Sequence, residues 1–367
     1  HGRRPTFRGP RPGRPALIPG LERFGPERLS ELAARFGSLR VAVLGDFFLD
    51  KYYEVDPALA EPSLETGRTA HQVVGVRHSP GAAGTVVNNL AALGTGRLAA
   101  VGLTGDDGEG WELRQDLAAL GVDRTHLHTD PARRTPLYLK PRDTGRPGLA
   151  GEHSRYDVKN RSATSPELET AILRSLRAVL PESDALILMD QVEEEGRGAV
   201  TAAVVRALAD LLPRYPRVVA WADSRRRIHA YRKVILKMNQ FELAGVHDPE
   251  PGSEIPEGCI VAALAETEAR AGAGVYATVG EHGVWVGGKR PVRVPAVLVP
   301  PPVDPTGAGD SFSAGAVLAL ASGASPVEAA LVGNLVASIT VRQLSTTGTA
   351  RPEELPGALE LWKEQNP

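Results

Sequence analysis

The sequence contains a single cysteine, Cys259, among 367 residues, and only 5 % of its residues are aromatic. One cysteine excludes a disulfide framework and a zinc site built from cysteines. The apolar runs are short, as at residues 316–321, which argues against a membrane-spanning helix. The formal net charge is only −2, which argues against a nucleic-acid binder that works through bulk positive charge. We therefore expect a cytoplasmic protein that binds neither nucleic acid nor membrane.

The N-terminal segment differs from the rest of the chain. Residues 1–20 are rich in arginine, proline and glycine, and no apolar segment follows the positive charges, so we expect no secretory signal. We predict an arm over residues 1–24 and one large domain over residues 25–367. The arm is interpreted as a solvated extension, and docking on a neighbouring subunit or an anionic ligand is the alternative.

Apolar and β-branched runs alternate with stretches of helical period from residue 39 onward. The expected strands lie at residues 41–44, 98–101, 185–189, 218–221, 234–236 and 275–279, and helices are expected at 111–120, 168–180 and 199–212. Such alternation predicts a mostly parallel sheet covered by helices on both faces. Ligands in these folds bind at the carboxyl ends of the strands.

Two segments, residues 52–79 and 127–160, interrupt this alternation. They carry threonine, valine, tyrosine, proline and charge without a helical period. We interpret both as extra β-structure that stands off the main sheet and forms a lid over the strand ends.

The most informative stretch is D-P-T-G-A-G-D-S-F at residues 304–312, which precedes a helix of small residues expected at 310–322. Glycine-rich backbone at a helix N-terminus exposes unpaired N–H groups and the positive end of the helix dipole, which together favour an anion. An aspartate in that position, Asp310, suits the removal of a proton from a hydroxyl beside a bound phosphate. The alternative is a glycine-rich turn in which Asp310 is an ordinary helix N-terminal charge.

Two further segments follow expected strands. Asn239 and Glu242 are three residues apart, so on a helical turn they share a face and can orient waters around Mg²⁺. The alternative is a helix start with Asn239 as its N-cap. In T-V-G-E-H-G, residues 278–283, Thr278 offers a hydroxyl to phosphate, and the alternative is a hairpin turn.

The stretch G-V-W-V-G-G-K at residues 283–289 has the spacing of a Walker A loop. Arg290 occupies the position where serine or threonine should bind Mg²⁺, and no helix follows. We therefore predict a hairpin there.

The remaining candidates lie around the first strand. Asp46 and Asp50 follow it, and P-G-A-A-G at residues 80–84 opens a helix, so a sugar hydroxyl could donate to either carboxylate. For Asp50 an ordinary loop carboxylate is the alternative. Asp190, Asp223 and Arg225 also stand at strand ends, where a site role and a structural role remain open.

Taken together, the D-x-T-G-A-G-D-S-F, N-x-x-E, T-x-G-x-x-G, G-D-x-x-L-D and P-G-x-A segments resemble the pfkB (ribokinase-like) carbohydrate kinases. The resemblance covers residues 39–362 and extends to the kinase half of the bifunctional heptose-phosphate kinase/adenylyltransferases. We expect no adenylyltransferase half, since the sequence ends at Pro367.

The resemblance implies a ribokinase-like three-layer α/β/α sandwich with a mostly parallel central sheet and a small β-sheet lid. It implies a sugar or sugar phosphate as substrate, ATP and Mg²⁺ as cofactors, and a homodimer that pairs through the lid, and it leaves a monovalent cation requirement open. In the phosphoryl-transfer site it implies a base, Asp310, and an anion hole formed by Gly307, Ala308 and Gly309.

The resemblance also assigns the binding residues. Those of the nucleotide side are Thr278, Gly280, Gly283 and Asn334, with Asn239 and Glu242 organising Mg²⁺ through water. Those of the sugar side are Asp46, Asp50 and Gly81, with Thr85 and Asn89 as further candidates.

The departures from the family pattern affect the sugar side. Ala82 stands where the family usually has a second glycine, and Thr85 stands where an asparagine often contacts sugar hydroxyls. Two alternative functions therefore remain: a nucleoside kinase with Tyr52, Tyr53 and Tyr138 around the base, and a non-catalytic binding protein of the same fold.

Overall fold

The computed structural model describes residues 18–146, 148–344 and 347–367. Residues 1–17, most of the predicted arm, lie outside the described residues. Leu21 and Phe24 are buried in the hydrophobic core, so the end of the predicted arm belongs to the domain.

The elements alternate much as the sequence predicts. In chain order, the strands of the described residues are β1 Arg40–Gly45, β2 Phe47–Pro62, β3 Thr69–Ala82, β4 Arg97–Gly105, β5 Asp123–Asp130, β6 Leu137–Asp143, β7 Tyr156–Val158, β8 Ala185–Asp190, β9 Val219–Ser224, β10 Ile235–Asn239, β11 Val275–Thr278, β12 Val284–Val286 and β13 Val292–Val294. The α-helices of the same residues are α1 Pro26–Ala33, α2 Ala83–Ala92, α3 Gly108–Ala119, α4 Pro166–Val179, α5 Ala202–Leu211, α6 Gln240–Leu243, α7 Glu257–Ala271, α8 Ala308–Ala321, α9 Pro326–Thr340 and α10 Leu355–Gln365.

The main sheet has the strand order β13-β12-β11-β10-β9-β8-β1-β4-β5. Its pairs are parallel from β11 through to β5, whereas β12 pairs antiparallel with both β11 and β13. The hairpin predicted at residues 283–289 is confirmed by the β12–β13 pair. The parallel strands point their carboxyl ends to one edge, where ligands bind in such folds.

Helices cover both faces of the main sheet. Apolar side chains of α4, α5 and α7 form one core with alternate strand residues such as Leu236 and Met238. Side chains of α1, α2, α3, α8, α9 and α10 form the other core with the intervening residues, among them Trp221. The predicted three-layer α/β/α sandwich is therefore confirmed. No helix in the described ranges has the length and apolarity that a bilayer crossing requires.

A separate small sheet has the strand order β3-β2-β6-β7. Its strands β2 and β3 extend from Phe47 to Ala82, so this part of the sheet is longer than the predicted segment 52–79. The second predicted segment starts too early, because residues 127–130 pair with β4 as the edge of the main sheet. Leu127 packs in the core that contains α3, and His128 Nε2 lies 2.9 Å from Ser175 Oγ of α4. Polar and apolar residues alternate there, a pattern that sequence alone does not distinguish from a lid strand.

One ion pair and one hydrogen bond between a histidine and a carboxylate join the small sheet to the main domain. Lys51 Nζ lies 2.7 Å from Glu112 Oε2, and His78 Nδ1 lies 2.7 Å from Asp116 Oδ2. Both acids are on α3, so the base of the small sheet is fixed to that helix.

Candidate active site

The N-terminus of α8 presents the glycine-rich segment to the strand ends. Gly307 is the N-cap, with φ +76°, a left-handed conformation that glycine adopts without steric cost. A Cβ at Gly307 would lie 3.2 Å from Thr85 Cγ2, so this backbone packs closely against α2. The residues of α8 from Ser311 to Ala319 are buried, and most of them are small. The packing of this helix in the core therefore fixes the position of its first turn.

Asp310 stands in the first turn of α8, three residues after the N-cap. Burial raises the pKa of Asp310 to about 7, with the charge of Asp223 adding to the effect and Lys237 and Arg225 opposing it. A carboxyl group with that pKa exchanges a proton readily near neutral pH, as general acid–base chemistry requires.

Beneath this turn lies a buried ion pair on two neighbouring strands. Lys237 of β10 and Asp223 of β9 are register partners, and Lys237 Nζ lies 2.7 Å from Asp223 Oδ2. A Cβ at Gly309 would come within 2.7 Å of the same Nζ, so the ammonium contacts the glycine of the predicted anion hole. Burial alone would lower the pKa of Lys237, but the nearby carboxylates of Asp223 and Glu242 outweigh it and raise the pKa.

Asn239 and Glu242 form a capping box at the start of α6. Asn239 Oδ1 accepts from the N–H groups of Phe241 and Glu242, both at 2.9 Å, and Glu242 Oε2 accepts from the Asn239 N–H at 2.7 Å. The N-cap interpretation of Asn239 is therefore confirmed, and its carbonyl oxygen is engaged by backbone. Burial and the charge of Asp223 raise the pKa of Glu242.

The donor set near Glu242 fits a hydrated Mg²⁺ better than a cation caged by protein. Within the described ranges, no three histidine, cysteine, aspartate or glutamate side chains cluster in a way that could hold a metal ion. Mg²⁺ commonly keeps several waters and takes one or two carboxylates plus phosphate oxygens. A divalent cation beside Glu242 and Asp223 would also relieve the repulsion that raises the pKa of Glu242.

The residues predicted for the nucleotide side fall into two groups. Thr278 ends β11 next to Asn239, its register partner, and Gly280 borders open space. Gly283 instead packs its backbone against β13, since a Cβ there would lie 2.1 Å from the Val294 carbonyl oxygen. Asn334 is buried, and its amide donates to the carbonyls of Val294 and Pro295 at 3.1 and 3.0 Å. Gly283 and Asn334 thus also hold the β13 segment in place.

Asp50, one of the residues predicted for the sugar side, is a buried carboxylate. It is 6 % exposed, its Oδ1 has no hydrogen-bond partner among the described residues, and Lys140 Nζ lies 3.9 Å away. Burial raises the pKa of Asp50. A small pocket opens beside the same strands. It is lined by Phe48, Pro136, Tyr138, Lys159, Asn160, Gln191, Val192, Glu193 and Glu194.

The other predicted sugar-side residues are more engaged with protein. Asp46 accepts backbone hydrogen bonds from Gln191, Val192 and Ala199 at 2.9, 2.9 and 2.7 Å, so its carboxylate organises the segment after β8. Burial, with the charge of Asp190, raises the pKa of Asp46 to about 6.

Asn89 is fully buried one helical turn after Thr85. Its amide donates to the carbonyls of Thr85 and Gly348 at 3.0 and 3.3 Å, which ties α2 to the segment after α9. Thr85 itself lies against Gly307, beside the first turn of α8.

Of the strand-end residues left open, Asp190 is structural in its contacts. It is fully buried and accepts from Ser224, Arg227 and Tyr231. Asp223, by contrast, pairs with Lys237, whose ammonium contacts Gly309 in the first turn of α8.

Sequence reasoning missed Lys237 and Lys140. The signal for Lys237 was available, since a lysine interrupts the apolar run V-I-L-K-M of a strand expected to be buried. Such a charge is rarely buried unless it is paired. Lys140 gave no comparable signal, because the small sheet is largely exposed.

A family model described as pfkB family carbohydrate kinase matches residues 41–353. A curated protein of Caulobacter vibrioides named bifunctional protein HldE is 28 % identical over 334 residues, which cover 87 % of this chain and 63 % of the relative. The protein of the same name from Mesorhizobium japonicum is 31 % identical over 338 residues, 91 % of this chain and 64 % of the relative. The chain thus spans less than two thirds of the length of these relatives.

Two solved structures share the fold. Phosphofructokinase-2 from Escherichia coli in complex with potassium superposes with a TM-score of 0.64 at 19 % identity, covering 89 % of this chain and 99 % of the other. Ribokinase from Thermotoga maritima gives a TM-score of 0.60 at 21 % identity, covering 88 % and 99 % of the two chains.

Proposed function

The chain belongs to the pfkB family of carbohydrate kinases, and from that membership we propose that it transfers the γ-phosphoryl group of ATP to a hydroxyl of a small sugar or sugar phosphate. The observation that carries the proposal is the position of Asp310. Its carboxyl lies in the first turn of α8, has a pKa raised to about 7, and shares its surroundings with Lys237, Asp223 and Asp50.

The chemistry follows from these positions. Asp310 accepts the proton of the acceptor hydroxyl as its oxygen attacks the γ-phosphorus. The new bond joins that oxygen to phosphorus, and the bond from phosphorus to the β–γ bridging oxygen breaks, so ADP leaves with the electron pair. The N–H groups of Gly309 and Asp310 would face the charge that develops on the phosphoryl oxygens, whereas the Ala308 N–H donates to the Pro305 carbonyl at 3.1 Å. The products are ADP, the phosphorylated sugar and the proton that Asp310 releases.

Mg²⁺ bound to ATP would neutralise phosphate charge during transfer. Glu242 would hold it through water with its second carboxylate oxygen, while Asn239 fixes the backbone from which Glu242 projects. Thr278 and Gly280 would line the nucleotide phosphates, with Gly283 and Asn334 shaping the wall behind them.

On the acceptor side, Asp50 would receive a hydrogen bond from a sugar hydroxyl, with Gly81 leaving room for its carboxylate. Asp46 would shape the pocket through the segment after β8, with Thr85 and Asn89 along its α2 wall. The resemblance to heptose-phosphate kinases makes heptose phosphates the first acceptors to test.

A coupled assay of ADP release tests the proposal with heptose phosphates, hexoses, hexose phosphates, ribose and adenosine. Phosphorylation of a sugar with a loss of about 10²-fold or more in Asp310→Asn is the expected result. Turnover that is unchanged in Asp310→Asn would rule out this base. A wild-type chain that binds ATP and turns over no acceptor would favour the non-catalytic binding protein.

A nucleoside kinase remains the second candidate because of the aromatic pocket. Phe48 and Tyr138 meet edge to face with centroids 5.2 Å apart, and such rings could stack on a base. Adenosine as the preferred acceptor in the same screen would select this candidate.

From the family we also propose a homodimer that pairs through the small sheet and a possible requirement for a monovalent cation. Pairing through the small sheet would cover Val73, Val74 and Val76, which are 44 %, 55 % and 53 % exposed. Sedimentation equilibrium distinguishes the homodimer from a monomer. Because the similar phosphofructokinase-2 was solved with potassium, activity in potassium against tetramethylammonium salts tests a monovalent cation.

A further inference from the structure

The buried ammonium of Lys237 has more donors than the protein uses. The group carries three N–H bonds, and among the described residues Asp223 Oδ2 is its one hydrogen-bond acceptor. Lys237 is only 7 % exposed. Buried polar groups are almost always satisfied, so two unused donors in this position indicate a ligand that the protein is built to receive.

The unused donors lie at the anion hole. In β10, Leu236 and Met238 belong to the core on the α4–α5–α7 face, so Lys237 between them faces α8. The neighbouring strand confirms this face, since Trp221 Nε1 donates to Ser313 Oγ of α8 at 3.2 Å and Asp223 is two residues further on. The Nζ atom then touches Gly309, where any side chain would collide with it.

Two positive features in this place can attract an anion, against the negative charge of the Asp223, Glu242 and Asp310 carboxylates around the ammonium. The first turn of α8 contributes the positive end of the helix dipole, and the ammonium adds a full positive charge beside the same backbone. Asp223 keeps the ammonium charged and in place from the opposite side. A phosphoryl group seated on the α8 amides therefore completes the coordination of Lys237.

We propose that Lys237 is a further catalytic residue that donates hydrogen bonds to the phosphoryl group during transfer, and that Asp223 is its positioning residue. The inference rests on the proposed function, because it assigns a contact within that transfer site. Lys237 makes no covalent bond and moves no proton in this role, and it strengthens its hydrogen bonds as negative charge builds on the transferred oxygens.

The competing explanation is a purely structural ion pair. A buried ion pair is weak evidence for stability, since a neutral pair of similar shape often replaces it without loss, whereas removal of one partner leaves a costly unpaired charge. A double variant therefore separates the two roles: Lys237→Met with Asp223→Asn removes both charges and keeps the approximate volumes.

The experiment measures kcat on the acceptor found in the screen, and the dissociation constants of a non-hydrolysable ATP analogue and of ADP by calorimetry with Mg²⁺. Lys237→Met should lower kcat by about 10²- to 10³-fold, the usual effect of removing one such donor. The ATP analogue should lose affinity and ADP should keep it, because only the former carries the γ-phosphoryl group. The double variant should regain the thermal midpoint of the wild type and stay as slow as Lys237→Met.

The matched control removes a paired cation far from the site. Arg28 of α1 lies 3.0 Å from Glu328 of α9, and Arg28→Met should leave kcat and both dissociation constants unchanged. Equal losses of ATP analogue and ADP affinity in Lys237→Met would overturn the proposal, as would wild-type kcat in the double variant. A wild-type chain that binds ATP without turnover contradicts the proposed function alone, since the contrast between ATP analogue and ADP remains measurable. If the wild-type chain does not bind ATP at all, both the proposed function and the proposed role of Lys237 are overturned.

Discussion

Gly81 lies directly against the carboxylate of Asp50, since a Cβ at Gly81 would come within 2.8 Å of Asp50 Oδ2. The two residues belong to β3 and β2, the antiparallel pair at the base of the small sheet. One carboxylate oxygen is thus packed against backbone, while the other, Oδ1, is buried with Lys140 Nζ 3.9 Å away and accepts no hydrogen bond from the described residues. A hydroxyl group of a bound molecule could donate the missing hydrogen bond to Oδ1.

Replacement of Asp50 by asparagine should therefore affect the acceptor more than the nucleotide. The neutral amide keeps the shape and loses the charge-assisted hydrogen bond, for which we expect KM for the sugar to rise about 10- to 100-fold. KM for ATP should change little, because the proposed contact of Asp50 is with the acceptor, whereas Thr278 is the residue proposed to line the nucleotide phosphates. Steady-state kinetics with each substrate varied in turn measures both constants.

The control for this variant is Asp56→Asn, which removes a carboxylate from the same strand at a partly exposed position. Its kinetic constants should equal those of the wild type. An Asp50→Asn enzyme with an unchanged KM for the sugar would show that this carboxylate does not bind the acceptor.

The activity should depend on pH through Asp310. Burial raises the pKa of this carboxyl to about 7, and only its deprotonated form can accept the hydroxyl proton. Log kcat/KM should therefore climb with a slope of one as the pH rises towards 7 and level off above it. A profile that is flat from pH 5 to 8 would mean that no group with this pKa acts as the base.

Stability should depend on the same group in the opposite direction. Because the folded pKa of Asp310 lies above the ordinary value of about 3.9, folding favours the protonated form. The stabilisation is complete below pH 4 and is lost as the pH rises through 7. Asp310→Asn removes this dependence, so it should melt at a higher temperature than the wild type at pH 8.5 and at a similar temperature at pH 4. Calorimetric melting curves at both values test this, and a variant that is less stable at pH 8.5 would contradict it.

Much of the fold follows from local sequence patterns. Buried parallel strands such as β8 are short runs of apolar residues, and the helices between them carry apolar residues at helical spacing. The small sheet was harder to delimit, because β5 at the edge of the main sheet has the same alternating pattern as an exposed strand.

Some residues of the candidate site can likewise be predicted from local sequence, and others cannot. Asp310 and the glycines before it were found because a helix N-terminus is encoded in consecutive residues. Lys237 and Asp223 come together only through the register of two strands, and the use of Asp46 by three backbone N–H groups depends on the path of a distant loop. Local patterns therefore predict the glycine-rich N-terminus of α8, whereas tertiary pairing decides which charged side chains lie beside it.

Ala82 is strained, and its substitution by glycine should stabilise the protein. It is the N-cap of α2 with φ +52° and ψ −115°, a region that residues with a Cβ rarely adopt and glycine adopts freely. Such strain costs about 1–3 kcal/mol, and the added freedom of glycine in the unfolded chain offsets about 0.4–1 kcal/mol of the gain. Denaturant titration should therefore give Ala82→Gly a free energy of unfolding about 1 kcal/mol above that of the wild type. The same substitution at Ala119, an exposed residue at the end of helix α3, should destabilise by up to about 1 kcal/mol. Opposite signs for the two variants would assign the gain to backbone conformation at Ala82, and a loss at both positions would show that Ala82 is not strained.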